Sequence, residues 1–190
     1  MNTPGHAVLN LLVLGRRGRP ELFGPIAFGA VLPDLPMFFF YAYEKAWLRT
    51  DEIVIWSQSY FDVGWQALFD TFHSLPLLAI FAVLSWRTKL PRAAALFASM
   101  TVHALCDLAL HHHDAHRHLF PFSDWRFLSP VSYWDPRHYG GIASAIETVL
   151  VVAGSVWLLR SYKRPAPRVF LMLILLSYAF FIGYALVVWA

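Results

Sequence analysis

MTVHALCDLALHHHDAHRH, residues 100–118, is the stretch on which the reading of this chain turns. His103, Asp107 and His111 fall at i, i+4 and i+8, so an α-helix would carry all three side chains on one face. The ten residues before them, Ala93 to Val102, contain no charge and read as membrane. An ionisable residue in a membrane helix is costly, and it marks a functional site by default. Here several occur together, and they are the residue types that hold a metal.

The rest of the chain supports a membrane setting. Its 190 residues are 58% hydrophobic and 17% aromatic, and 14% are charged, against roughly 25% in soluble domains. Val169 to Ala190 is free of charge and long enough to cross a hydrocarbon core of about 30 Å. Cys106 is the only cysteine, which excludes an internal disulfide and a thiolate cluster, so a metal would be held by His and carboxylate. The basic cluster Arg16, Arg17 and Arg19 follows the first apolar stretch instead of preceding it, so no signal peptide is expected. The net charge of +3 is spread in short clusters between apolar runs. That is a pattern of membrane topology and not a nucleic-acid footprint.

The expected fold is all-α: a polytopic membrane bundle forming one integral domain over 1–190. A short apolar helix at about Thr3 to Leu14 is followed by five spans at about 22–42, 71–86, 93–113, 142–159 and 169–190. The first helix is too short to cross alone. Pro33 and Pro36 should kink or break the 22–42 run. Connectors 15–21, 87–92 and 160–168 hold ten of the fifteen Lys and Arg, and the longer connectors 43–70 and 114–141 hold five. The positive-inside rule then makes 43–70 an outer interfacial connector and 114–141 an outer lid. Counting about 1.5 Å per residue from the nearest basic or acidic flank puts His6 and His103 roughly 15–17 Å up. Asp34, His73, Asp107 and Glu147 lie at roughly 20–22 Å by the same count. Six polar groups from five segments are thus expected in one layer.

His103 and Asp107 can ligate one ion or two adjacent ions; the plain alternative is a neutral His bonded to a helix carbonyl and an Asp paired with Arg. Beyond His111, which continues the ligand face, His112 and His113 point elsewhere on a regular helix. His116 and His118 are candidates for substrate binding or proton shuttling. Asp34, between two prolines, is either a metal contact beside opened backbone or a cap of a broken helix. His6 and His73 are metal ligands or lone core histidines. Glu147 is a ligand, a general base, or a partner of Arg137 or His138. In the turn-rich lid, Arg117, Arg126 and Arg137 could grip a phosphate or carboxylate, or anchor the loop at the interface.

Thr-Pro-Gly-His at 3–6, Gly-Ala-Val-Leu-Pro-Asp at 29–34, Phe-His-Ser at 72–74, and His-Ala-Leu-Cys-Asp at 103–107 with Pro-Phe-Ser at 121–123 form a recognisable series. The series resembles the membrane-bound metal-dependent hydrolase family of bacterial inner-membrane proteins, which includes a member of the LexA regulon. The likeness covers about residues 2–125. It implies an inner-membrane protein with His6, Asp34, His73, His103 and Asp107 as site residues. The family commonly has His-Arg-Gly before a Thr-His-Ser; here Leu68, Phe69 and Asp70 precede Thr71, Phe72 and His73. The tract 111–118 and the segment 129–141 mark a divergent branch.

The sequence therefore leads to the expectation of a membrane-embedded metal-dependent hydrolase. One or two divalent ions, zinc by preference, would sit in the half of the bilayer facing the periplasm. Glu147 or an unliganded His would transfer the proton, with Arg117 beside the reacting group. The substrate would be a membrane lipid or a lipid-linked small molecule. A transporter of metal ions or protons is the rival from another class, and a haem-binding subunit with His73 and His103 as axial ligands is a third. The cytoplasmic halves of the spans are nearly all apolar, which favours a one-sided site over a conduction path.

Overall fold

The computed structural model describes residues 1–16 and 18–189, with side chains through Gly183. Arg17 and the end of the 169–190 run lie outside the described residues. The described residues are mostly helical, apart from a long loop after Leu110, and no strand occurs among them. Five helical stretches are long and apolar enough to cross a membrane: 20–48, 63–87, 91–110, 140–161 and 165–183. The protein is a multi-pass helix bundle.

The N-terminal helix α1 (Thr3–Leu14) is 12 residues long, or about 18 Å, and does not span. It lies inside the bundle, in contact with α2 (Phe23–Val31), α7 (Pro91–Leu110) and α8 (Gly140–Ser161). Ala7, Val8 and Leu11 are fully enclosed there with Ile26, Ala30 and Val151. Two glycines let the backbones approach. A Cβ on Gly29 would stand 2.4 Å from the Leu96 carbonyl of α7. One on Gly154 would meet Val8 and Leu12 of α1 at 2.8 Å. Small residues at helix contacts are how membrane bundles gain van der Waals packing. Asn10 of α1 donates to the Ser99 carbonyl (2.7 Å), and the Ser99 hydroxyl donates to the Ile26 carbonyl (2.6 Å). These bonds join three helices without leaving donors in apolar surroundings.

The first span is broken where the two prolines predict. A 3-10 turn, Leu32–Asp34, separates α2 from α3 (Leu35–Ala42), and the helical path runs on to Leu48 before Arg49 ends it with φ 57. The second span starts earlier than the hydropathy of 71–86 indicates. Asp62 caps α5 (Val63–Phe72) by accepting from the Gly64 and Trp65 amides, and α6 (Leu75–Arg87) follows after a break at His73 and Ser74. The connector between the first two spans thus shrinks from 43–70 to 49–62 and holds the short helix α4 (Glu52–Ser57). Polar Gln66 and Asp70 hid α5 from the apolar count. Both are buried, at 5% and 0% exposure, against the loop 111–139.

The third span ends at Leu110, three residues before the expected boundary. The chain then leaves the helix and folds back over its end. Ser129 and Tyr133 amides donate to the His111 and Leu110 carbonyls at 3.0 Å, and the Ser129 hydroxyl donates to the Ala109 carbonyl. The loop thereby satisfies carbonyls that a helix C-terminus leaves open. The last helix, α9 (Pro165–Trp189), packs on α8. Outward faces carry large apolar side chains, such as Phe81, Val149, Leu173 and Phe180, as a lipid-facing surface requires.

Candidate metal centre

Asp107 is the hub of the polar layer. It is 2% exposed, one turn beyond His103 on α7, and both its oxygens face imidazole nitrogens. Nε2 of His103 lies 2.9 Å and Nε2 of His73 3.3 Å from Oδ2. Nε2 of His6 lies 3.0 Å and Nε2 of His111 3.3 Å from Oδ1, where the Met1 amine also approaches to 3.2 Å. Asp34 completes the group, its Oδ1 3.4 Å from His103 Nε2. One ligand atom from each of Asp34, His73, His103 and Asp107 falls within 4.8 Å of the other three, and all four residues are buried. Such a group can hold a metal ion.

Local structure explains each position. Pro33 and the 3-10 turn tilt Asp34 away from a capping role: it precedes α3 but its side chain accepts no cap bond, taking instead the Thr3 hydroxyl at 2.5 Å. His73 ends α5, and its Nδ1 lies 2.8 Å from the Phe69 carbonyl. His103 Nδ1 lies 2.7 Å from the Ala30 carbonyl of α2. A carbonyl only accepts, so both rings carry a proton on Nδ1 and turn Nε2 toward Asp107; in the neutral ring that Nε2 is bare. Those two Nε2 atoms have no hydrogen-bond partner although fully enclosed. Bare nitrogens aimed at a carboxylate are unfavourable alone and suit a cation between them. Backbone carbonyls behind ligand histidines are the outer partners metal sites use.

His111 is not the third rung of a helix, as the i+8 spacing implied. It caps α7 in extended conformation, φ −117 and ψ 135, and still reaches Asp107. Its Nδ1 is held by Asp114 Oδ2 at 2.9 Å, and that oxygen also accepts from the Trp134 indole at 3.0 Å. Burial alone would lower the His111 pKa, but Asp107 and Asp114 outweigh it and raise it to about 9.

Four other expected residues stand elsewhere. Glu147 is 3% exposed but does not join the layer's cluster. It accepts from the Asn2 amide (3.2 Å), the Asn2 side chain (2.9 Å) and the Tyr178 hydroxyl (2.5 Å), on the far side of the α1 start. Neither Arg137 nor His138 is its partner. Arg117 clamps buried Asp70 through its amide and Nε and pairs with Asp124 at 2.7 Å. Arg126 donates to the Ala115 carbonyl and the Gln66 side chain. Arg137, 82% exposed at its side chain, pairs with its neighbour Asp135. All three arginines hold the loop in place, and none lines the cavity described next.

A cavity of about 840 Å³ opens over the cluster. His73, His111, His116, Asp34 and Asp114 form its polar floor, and Phe38, Trp56, Phe61 and Tyr133 contribute to its apolar walls. His116 is buried there with its ring stacked on His73 at 3.9 Å. Burial, and then His73, push its pKa down to about 3. His118 sits behind it, 1% exposed and edge-on to His116, and does not reach the cavity. Thr3, Asp70 and Asp114 are the contributors that motif reading undervalues. Asp70 could have been found, since its i, i+3 spacing puts it on the face of His73. No family model matches the chain, and neither a curated protein nor a solved structure matches it.

Proposed function

We propose that the chain is a membrane-embedded, metal-dependent hydrolase acting on a lipid or other amphipathic molecule, with zinc as the metal. One observation carries the reading: buried histidines whose Nδ1 protons are held by backbone carbonyls and whose Nε2 atoms converge on buried carboxylates. The mixed His and carboxylate donor set suits zinc. When bound, such an ion activates water and polarises the scissile group. The apolar wall, with Phe38 and Phe61 half exposed to the bilayer side, would seat a hydrocarbon chain while the floor holds the polar end. Because no Lys or Arg lines the cavity, an anionic head would be neutralised at the metal centre and not by the loop arginines. Proton transfer falls to the cavity imidazole His113, since Glu147 is engaged elsewhere and burial holds the His116 pKa too low.

The motif likeness to bacterial membrane-bound metal-dependent hydrolases supports the same reading and an inner-membrane location. The Lys and Arg distribution supports a periplasm-facing cavity. The transporter reading is not favoured. Beneath the cluster, α1, α2 and α8 meet through Val8, Leu11, Ile26, Ala27 and Val151, a packed apolar plug. The haem reading needs His73 and His103 to oppose each other across a gap, whereas both converge on one oxygen of Asp107.

The test is hydrolysis of a panel of long-chain esters and phosphoesters by purified protein in lipid nanodiscs. Turnover should vanish with chelator, return with Zn²⁺, and be absent in Asp107→Ala. Metal flux into sealed vesicles, with no turnover on the panel, would overturn the proposal. A cysteine at exposed Asp124 should label from the periplasm; labelling only from the cytoplasm would reverse the sidedness.

A further inference from the structure

The two oxygens of Asp107 have different company. Oδ2 faces His73 and His103, which with Asp34 make up the four-ligand group already described. Oδ1 faces His6, from α1, and His111, from the end of α7, and the Met1 amine lies 3.2 Å from it. Four ligands complete the tetrahedral shell of one zinc ion at about 2.0–2.2 Å. His6 and His111 are left over, on the other oxygen.

His111 repeats the rear hydrogen bond of the first group. Asp114, 2.9 Å away, holds a proton on His111 Nδ1, so Nε2, turned to Oδ1, is the nitrogen a cation would take. His6 is entirely enclosed, and its only polar contact is Oδ1, with Nδ1 lacking any partner. Its ring stacks on His103 at 3.6 Å, so the two histidines serve the two oxygens from adjacent positions. A carboxylate with imidazole pairs on both oxygens is the arrangement that bridges two cations about 3.5–4 Å apart.

From this partition we infer a second cation subsite: His6 Nε2, His111 Nε2 and Asp107 Oδ1, with Asp107 bridging it to the Asp34–His73–His103 ion. The inference rests on the metal-centre reading above and adds the ion count and the role of the loop. Three protein ligands leave a position open on the second ion, and it faces the cavity, because His111 lines the cavity and His6 does not. The second ion is therefore where an exchangeable ligand, water or substrate oxygen, would sit. The competing arrangement is a single ion, with His6 and the Met1 amine donating hydrogen bonds to Oδ1.

Chelator-stripped protein in detergent, loaded with Zn²⁺ and desalted, should carry two ions per chain by elemental analysis. His6→Ala and His111→Ala should each carry one. Mn²⁺-loaded wild type should give the multiline electron paramagnetic spectrum of an exchange-coupled pair, a readout that needs no variant to fold. A single ion in saturated wild type, or an isolated-ion Mn²⁺ spectrum, would overturn the second subsite while leaving a metal centre in place. No ion at all would remove both. Two coupled ions without turnover on any ester would establish the pair and count against the hydrolase.

Discussion

Among the carboxylates buried in membrane helices of this protein, Asp107 on α7 and Glu147 on α8 have opposite surroundings. Glu147 is met by donors: a backbone amide, a side-chain amide and a phenol. Each delivers a hydrogen, and the group is satisfied as it stands. Asp107 is met by four imidazoles, of which three have their proton committed to the rear. The Met1 amine adds a donor 3.2 Å from Oδ1, and imidazoles gathered on one carboxylate call for further positive charge, a proton or a metal ion. Burial is nearly the same for the two residues, 2% and 3% exposed, so it does not separate a structural carboxylate from a chemical one. The direction of the neighbours' hydrogens does.

Asp107→Ala gives the comparison its sharpest test. Bound zinc should fall more than about 100-fold in affinity, beyond the 10–100-fold typical of losing an outer partner. Wild-type metal content in this variant would erase the contrast. Arg117→Ala comes next in size and should act on stability alone. It strips buried Asp70 of its shortest ion pair, leaving His116 at 3.5 Å and Arg126 at 3.9 Å, and about 2–3 kcal/mol is expected in denaturant or thermal unfolding. That is less than a fully buried pair because Arg117 keeps an exposed edge. The folded fraction should retain its metal.

Asp114→Asn tests the loop's hold on His111. Affinity at the second subsite should drop about 10–100-fold by metal titration. In wild type, the ion must displace a proton from His111, whose pKa without metal is raised to about 9. Affinity should therefore fall about tenfold per pH unit as pH drops below 9 and level off above it. The variant loses one raising carboxylate, so its curve should break at lower pH; an unchanged curve would detach Asp114 from His111. The smallest effect belongs to Glu147→Gln. Metal should be unaffected, and unfolding should show a loss of about 1 kcal/mol from a weakened bond to Asn2 or Tyr178. Loss of metal would return Glu147 to the centre.

Much of this was legible in the chain. Charge-free runs marked the spans, because lipid excludes charge from outward faces. Counting residues from basic flanks placed five of the six layer residues together, because helical rise is fixed. The count failed for Glu147 because depth is a single coordinate: it says nothing about which side of α1 a residue occupies. Helical spacing put His111 on the right target for the wrong reason, since Asp107 is reached from an extended cap. The arginines misled because exposure cannot be read from loop sequence, and their partners Asp70, Gln66 and Ala115 lie up to 60 residues away in sequence. The start of α5 was hidden because buried polar side chains resemble surface ones until the packing partner is known.

The placement of α1 has a consequence for the order in which the protein is made. Every proposed ligand lies between residues 6 and 111, yet the wall that seats His6 includes α8, which begins at Gly140. A ribosome that has released residue 111 has delivered all the donors but not the surface on which the first helix rests. α1 is too short to be inserted as a span and must wait for that surface. Loading of the Oδ1 ion would then be a late event in biogenesis. A chain stopped before Gly140 should carry the Oδ2 ion and lack its neighbour.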